Sequence, residues 1–394
     1  MTLKMFTPLK SICMKYLIIL LLLGIVGCVR STSDSFVLEG IAPGAPDSTE
    51  VSLYPKDGSH RNITGYVING RFALRDTMKT PTYCLLRFKL KQENRLKYKD
   101  IEFFAENGEL RFKTPNIDSL PSAFSEYDIR KEKNYRVTGS VAQDDYFDYQ
   151  QQTLEQRAII KELEEKSGVS QRVEDWKQLQ QEREKLDQWC VKFIRAHRNV
   201  HVNLYVAEKL KRQPFTYDRS RVERMGALFA SDSDTCFSLR KFRDYLQEAV
   251  KFAKGRNLED VEILALNGEK VQLLDQLNLK GYTVIDFWAS WCGACRCSSS
   301  YFKKIYERYG GQVKFMSIAL NDGEENWKKA LKEEQMPWAQ FRGEEHVTTM
   351  VNDLYKITSI PTFLLVDAKG KIVYRCSQSG ELEVQLESLV NKRL

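Results

Sequence analysis

Residues 282–295 read YTVIDFWASWCGAC, and this stretch decides how the last third of the chain is interpreted. Its first seven residues form an apolar run typical of a buried strand, and the pattern of residues 296–309 predicts a helix. Cys292 and Cys295 are separated by two residues at the turn between them, which is the spacing of a reversible disulfide. The unpaired N–H groups and partial positive charge of a helix N-terminus favour the thiolate of Cys292, which is the reactive species.

A second apolar strand is predicted further along the chain. Residues 359–366 read SIPTFLLV, so that Pro361 leads directly into an apolar run. A turn-forming sequence, DAKG at residues 367–370, follows, and the next residues predict another strand over 371–375.

Together these motifs resemble the thioredoxin superfamily. The resemblance covers residues 257–394, is most specific over 284–296, extends to 357–373, and is closest to the TlpA/ResA-like thiol-disulfide oxidoreductases. A strand predicted at 313–320 and a helix predicted at 324–334 form an inserted α/β unit that is a mark of that branch. The resemblance implies a thioredoxin-like α/β fold in which the proline is cis and faces the dithiol.

Cys292 is predicted to be the nucleophile and Cys295 the resolving thiol. The thiolate of Cys292 would attack a substrate disulfide, and Cys295, one helical turn further on, would resolve the mixed disulfide. Two core cysteines or half of a zinc site are the alternatives, but no second Cys pair or Cys/His pair is spaced to complete four zinc ligands. The sequence therefore predicts no metal site and implies no cofactor. Cys297 lies about 200° round the helix from Cys295 and is interpreted as structural.

Further site residues take their roles from the resemblance. Asp286, on the strand before the motif, is expected to be buried with a raised pKa and to accept the proton of the resolving cysteine; a surface carboxylate at a strand edge is the alternative. Trp291 would cover the dithiol and contact substrate. Ile360 and Pro361 would pair with the substrate backbone, unless the proline is an ordinary trans residue that begins a strand. The family commonly has proline where Ala294 stands, so a looser turn is expected here.

The N-terminus has the features of an export signal. Lys10 and Lys15 flank an apolar core, residues 16–26, which is too short to span a bilayer. Residues 25–28 read IVGC and resemble the bacterial lipobox, in which Cys28 is lipidated and becomes the first residue of the mature chain. An ordinary cleavable signal with an incidental cysteine is the alternative. The expected location is the cell envelope, as a periplasm-facing lipoprotein of the inner or outer membrane, where disulfides persist.

The chain is predicted to be multidomain, with a signal segment at 1–28 followed by three parts. Residues 29–138 contain short β-branched and aromatic runs with Asn-Gly hairpin signals, and they predict an antiparallel β sandwich or barrel. Residues 139–256 switch to helical periodicity, and Ser167-Gly168 is predicted to break the first helix. Residues 257–394 form the thioredoxin-like α/β part. The first two parts resemble a β domain of unknown function, and the region after it, in many exported bacterial lipoproteins.

These features together predict a thiol-disulfide oxidoreductase that acts on exported proteins. Resemblance of the site to thioredoxin favours a reductase, which then requires an electron donor, plausibly in the membrane. A disulfide oxidase or isomerase is the nearest alternative. A lipoprotein binding module with a secondary redox role is another, because the parts before residue 257 contain no catalytic motif. The net charge of +7 is spread among interleaved basic and acidic residues, which argues against nucleic-acid binding.

Overall fold

The structure is a computed structural model that describes most of the chain after its N-terminal segment. The described residues are 33–58, 61–92, 95–123, 134–170, 172–211, 219–232, 236–251 and 255–391. Cys28 and the predicted signal segment lie outside these ranges. Within them, no helix combines the length and apolar character needed to cross a bilayer.

The N-terminal part consists of strands in two four-stranded sheets. The strands are β1 (Phe36–Ile41), β2 (Glu50–Pro55), β3 (Ile63–Tyr66), β4 (Arg71–Asp76), β5 (Thr82–Gln92), β6 (Arg95–Ala105), β7 (Gly108–Lys113) and β8 (Arg136–Thr138). One sheet has the order β4-β1-β7-β8 and the other has the order β3-β2-β5-β6. Apolar side chains from both sheets form one core, which includes Phe36, Val51, Phe88 and Phe112.

The connections of this part confirm one prediction and correct another. Asn69 and Gly70 have positive φ values of 51° and 68° and form a tight two-residue turn closed by an antiparallel bridge between Ile68 and Arg71, although β3 and β4 on either side belong to different sheets. The pairing of β1 with β7 is parallel, so the expectation of purely antiparallel pairing is wrong for these two strands. The chain crosses from one sheet to the other between β6 and β7. Strand β7 therefore does not pair with its predecessor and instead runs beside β1 in the same direction.

The middle part is helical, as predicted. Its helices are α1 (Val141–Gln152), α2 (Leu154–Ser170), α3 (Val173–Ala196), α4 (Val200–Leu210), α5 (Arg219–Ala227) and α6 (Phe237–Lys251). Helix α2 continues through Ser167 and Gly168, so the predicted break is wrong. One helical glycine costs only about 1 kcal/mol relative to alanine, and packing of α2 against α3 through Leu163 and Leu179 outweighs that cost.

The C-terminal part is one seven-stranded sheet with helices on its faces. Its elements are β9 (Glu262–Ala265), β10 (Lys270–Gln272), β11 (Tyr282–Trp288), α7 (Gly293–Tyr309), β12 (Val313–Ala319), α8 (Glu324–Glu334), β13 (Ala339–Arg342), α9 (Glu345–Tyr355), β14 (Thr362–Val366), β15 (Ile372–Cys376) and α10 (Ser379–Asn391). The strand order is β10-β9-β13-β12-β11-β14-β15. The predicted strand before the cysteines and the predicted helix at 324–334 are both present.

Strand β11 is an interior strand of this sheet, between β12 and β14, and is buried on both faces. It pairs in parallel with β12 and antiparallel with β14. On one face, Val284 packs against Phe302 of α7. On the other, Ile285 packs against Val347 of α9. This double burial explains the continuous apolar run in the sequence and holds the end of β11 rigidly where the cysteine motif begins.

The three parts are joined by side-chain contacts. Tyr83 of β5 packs against Tyr146 of α1 and Tyr205 of α4, with ring centroids 5.7 Å and 4.7 Å apart. Helix α3 lies against α10 of the C-terminal part, where Arg183 Nη1 donates to Glu381 Oε1 at 3.0 Å. The contact between Arg183 and Glu381 is therefore made by α10 and does not involve the cysteine motif.

Helices α3 and α10 pack so closely that adding a single methyl group between them is expected to lower stability. A Cβ on Gly380 would lie 2.0 Å from the indole nitrogen of Trp176, so Gly380→Ala must displace one helix. We expect a loss of about 1–3 kcal/mol in the free energy of unfolding, measured by denaturant titration. Gly168→Ala is the control, since a Cβ there meets nothing within 4 Å, and it should raise stability by about 0.4–1 kcal/mol. Equal stability of the Gly380 variant and the wild type would contradict this packing.

Candidate active site

The cysteine motif forms the junction between β11 and α7. Cys292 is the N-cap residue of α7, and its Sγ accepts a hydrogen bond from the backbone N–H of Cys295 at 3.1 Å. The two cysteines form a disulfide, with Cα atoms 5.3 Å apart. A thiolate at Cys292 in the reduced protein would receive the same N–H and the positive end of the helix dipole, which both stabilise negative charge.

The loop before β14 lies directly beside the disulfide. The Ile360–Pro361 peptide bond is cis, as the family resemblance implies. The carbonyl oxygen of Ile360 lies 3.7 Å from Cys292 Sγ, and the Ile360 side chain packs against the cluster that contains both cysteines. The Ile360 loop therefore borders the sulfur of Cys292.

Trp291 is the exposed residue of the motif. Its side chain is 62% exposed, and its indole nitrogen donates to the carbonyl oxygen of Asn321 at 2.9 Å. Asp322, the residue after Asn321, binds the residue before Trp291. Its carboxylate accepts from the Ser290 backbone N–H at 2.5 Å and from the Ser290 hydroxyl at 2.6 Å. The motif thus offers an apolar, anchored surface next to Cys292. Sequence reasoning missed Asp322, although an acid shortly after a buried strand was the available signal.

Asp286 is buried behind the disulfide. It is 6% exposed, and burial raises the pKa of its carboxyl group to about 7, while a hydrogen bond from Ser317 opposes that rise. Asp286 and Cys295 both line a cavity of about 10 Å³, which is close to the space one water molecule needs. The carboxyl group and Cys295 therefore border the same small space behind the disulfide.

Ser317 and Trp338 complete the surroundings of Asp286, and sequence reasoning missed both. Ser317 of β12 is the register partner of Asp286, and its hydroxyl donates to Asp286 Oδ2 at 2.8 Å. The indole N–H of Trp338 donates to the Ser317 oxygen at 2.8 Å. The signal for Ser317 was a polar residue between Met316 and Ile318 in a largely apolar strand, but nothing local linked it to Trp338.

The structure brings the predicted site residues of the C-terminal part together. Asp286, Cys292 and Cys295 follow one another along β11 and α7, with Ile360 and Pro361 beside them. Cys297 is an exposed thiol on α7. The predicted lipidation site, Cys28, lies outside the described residues.

Comparisons with known proteins agree with this geometry. Residues 280–372 match the family model described as thioredoxin-like, and residues 36–146 match a domain of unknown function, DUF4369. The chain is 26% identical over 138 residues to the thioredoxin-like protein YneN of Bacillus subtilis, covering 33% of this chain and 75% of that protein. It is 30% identical over 118 residues to nucleoredoxin of Mus musculus, covering 29% of this chain and only 26% of nucleoredoxin.

A solved structure is similar over the same region. It is the thioredoxin domain of a thiol-disulfide oxidoreductase from Bacteroides vulgatus, with 30% identity, covering 35% of this chain and 99% of that chain, at a TM-score of 0.33. The sequence matches and the disulfide at the helix N-terminus define a redox-active thioredoxin-like domain. The C-terminal part of the chain is therefore a thioredoxin-like domain of the thiol-disulfide oxidoreductase type, and the TlpA/ResA-like branch fits it.

Proposed function

We propose that the protein reduces disulfides in exported proteins through Cys292 and Cys295. The observation that supports this most is the position of Cys292, which caps α7 beside the Ile360 loop and has Asp286 buried behind it. This arrangement stabilises a thiolate at the entrance and places a proton acceptor at the rear.

The proposed reaction has two exchange steps. The Cys292 thiolate attacks one sulfur of the substrate disulfide, the substrate S–S bond breaks, and the other substrate sulfur leaves as a thiolate that takes a proton from solvent. The thiol of Cys295 then gives its proton to Asp286 and attacks Cys292 Sγ, so that the mixed disulfide breaks and the second substrate sulfur leaves as a thiolate, which takes a proton from solvent or from Asp286. The substrate gains two electrons, and the enzyme is left as the Cys292–Cys295 disulfide. A dithiol donor, which we place in the membrane, must reduce it again.

Location and anchoring belong to the same proposal. The signal-like residues before Cys28 support export, and lipidation of Cys28 would tether the chain to the inner or outer membrane with the catalytic part facing the periplasm. We divide the mature chain into a β domain at 29–138, a helical region at 139–256 and the thioredoxin-like domain. The shared core of the two N-terminal sheets supports a sandwich. These two parts would hold the catalytic domain away from the lipid anchor.

Turnover tests the proposal directly. The purified protein, with dithiothreitol as electron donor, should accelerate reduction of insulin disulfides well above the dithiothreitol background. A rate equal to that background would contradict the proposed activity. An unreactive disulfide would favour the binding-module alternative.

Trp291 should affect substrate binding more than chemistry. Its exposed indole is anchored next to Cys292, so Trp291→Ala should raise KM for a protein disulfide by about 5- to 30-fold, as loss of an aromatic contact typically does. The kcat should change little. Trp291→Phe is the matched control, because it keeps an aromatic surface but loses the hydrogen bond to Asn321. Unchanged KM in the alanine variant would contradict a role for Trp291 in substrate binding.

A further inference from the structure

We propose that Trp338 and Ser317 are positioning residues that keep the Asp286 carboxylate ionised and orient it as the proton acceptor for Cys295. This inference rests on the proposed function, since it concerns the second exchange step. Both residues lie in the described part of the thioredoxin-like domain, and neither belongs to the cysteine motif.

The direction of this hydrogen-bond chain is determined by its first member. An indole N–H can only donate, so the bond from Trp338 Nε1 to Ser317 Oγ, at 2.8 Å, occupies an acceptor position on the hydroxyl. The hydroxyl has a single proton, and its other contact is Asp286 Oδ2 at 2.8 Å. An ionised carboxylate can only accept, so Ser317 donates its one proton to Asp286 Oδ2 while its oxygen accepts from Trp338. A donor of this kind stabilises the carboxylate and not the neutral acid.

Burial makes this direction matter. Ser317 is fully buried, and Trp338 and Asp286 are each only 6% exposed, so water does not compete strongly for these bonds. In a low-dielectric interior each hydrogen bond is stronger, and a carboxylate without a donor would be strongly disfavoured. Ser317 thus opposes the desolvation that would otherwise keep Asp286 protonated and unable to accept a proton from Cys295.

The same chain of hydrogen bonds also determines which oxygen of Asp286 is left for proton exchange. Ser317 occupies Oδ2, and Asp286 lines the cavity that it shares with Cys295. Trp338 itself packs against α7, the helix that contains Cys295, with its ring 4.8 Å from Phe302 and 5.3 Å from Tyr306. The hydrogen-bond chain and the resolving cysteine are therefore held in one packed unit, and we assign to Cys295 the oxygen that Ser317 does not bind, Oδ1.

Two ionisable groups of the described residues are linked to this cavity besides Cys295. They are Glu334 of α8 and Arg296 of α7, which form an ion pair at 2.9 Å. Glu334 also accepts from the hydroxyl of Ser299 at 2.5 Å, and Ser299 lines the cavity. Because Arg296 neutralises Glu334, Ser317 is the main group that favours the charged form of Asp286.

The test is a pH titration of the Asp286 carboxyl carbon by ¹³C NMR in the reduced protein, together with the pH–rate profile of disulfide exchange. Trp338→Phe removes the indole N–H and frees the hydroxyl to reverse, and Ser317→Ala removes the donor. We expect both variants to move the titration midpoint upward by about one pH unit, and the exchange rate below the midpoint to fall about tenfold. In an Asp286→Asn background, Trp338→Phe should leave the rate unchanged.

A control variant separates the hydrogen-bonding role of Trp338 from its packing against α7. Tyr306→Leu disturbs the contact with Trp338 but removes no member of the hydrogen-bond chain, so it should lower stability and leave the midpoint in place. If Trp338→Phe does not fold, Ser317→Ala tests the proposal alone. An unmoved midpoint in Ser317→Ala, or the same shift in Tyr306→Leu, would overturn the inference. A moved midpoint in a protein that exchanges no disulfides would uphold the hydrogen-bond chain and reject the proposed function instead.

Discussion

Replacement of Cys292 by serine is expected to reduce disulfide exchange to the rate of the small-molecule donor alone, a loss of at least about 10³-fold. The reason is that, among the cysteines the structure describes, only Cys292 caps a helix beside the Ile360 loop, where a backbone N–H reaches its sulfur and where we place the substrate. A serine hydroxyl at this position neither ionises at neutral pH nor forms a disulfide. The measurement is the initial rate of insulin reduction with dithiothreitol as donor.

Replacement of Cys295 should instead stop the reaction halfway. Cys295→Ser retains the nucleophile and lacks the resolving thiol, so the mixed disulfide between Cys292 and substrate should accumulate and appear as a covalent complex on a non-reducing gel. Cys297→Ser is the matched control, since this exposed thiol lies on the same helix two residues further on, and we expect it to keep wild-type turnover. Substantial turnover by Cys292→Ser, or an equal loss in Cys297→Ser, would contradict the assigned roles.

Asp286→Asn is expected to slow release of substrate from the mixed disulfide by about 10²-fold, the usual contribution of a general base. Attack by Cys292 on the substrate should change little, because Asp286 lies behind the disulfide and lines the cavity next to Cys295. Only the ionised carboxyl group can accept a proton, and its pKa is about 7. The release rate of the wild type should therefore rise with pH through about 7, whereas the variant should lack that rise. A stopped-flow measurement of release on both sides of the midpoint decides this.

Stability gives an independent check of the same carboxyl group. Burial raises its pKa in the folded chain from the ordinary value of 3.8 to about 7, so between these values the folded state binds more protons than the unfolded state. The contribution of Asp286 to stability is therefore lost as pH rises through this interval. We expect Asp286→Asn to be more stable than the wild type by about 1–4 kcal/mol above pH 7 and nearly equal to it near pH 4. Equal stability at every pH would contradict a raised pKa.

The cysteine motif and its immediate surroundings could be predicted because their signals are local. A strand buried on both faces gives a continuous apolar run, as in β11, and the CxxC spacing places two thiols at the start of the next helix. The helix at 324–334 has a similarly clear periodicity. In each case the neighbours in sequence supply most of the information.

Features that depend on distant parts of the chain could not be predicted. The donor chain from Trp338 through Ser317 to Asp286 joins three segments, and only strand register brings them together. The parallel pairing of β1 with β7 depends on which sheet β7 enters, and the continuation of α2 through Gly168 depends on its packing against α3. Local propensity points the wrong way in the last case, because tertiary packing outweighs it.

The reduction potential of the Cys292–Cys295 pair tests the proposed reductase most directly. It is measured at equilibrium by thiol trapping of the purified protein across a series of redox buffers. The proposed reductase predicts a value near that of thioredoxin, about −270 mV, so that the dithiol gives electrons to substrate disulfides. A value near that of a strong oxidant, about −120 mV, would contradict it and indicate an enzyme that introduces disulfides. Failure of the pair to oxidise reversibly at any potential would contradict both forms of exchange.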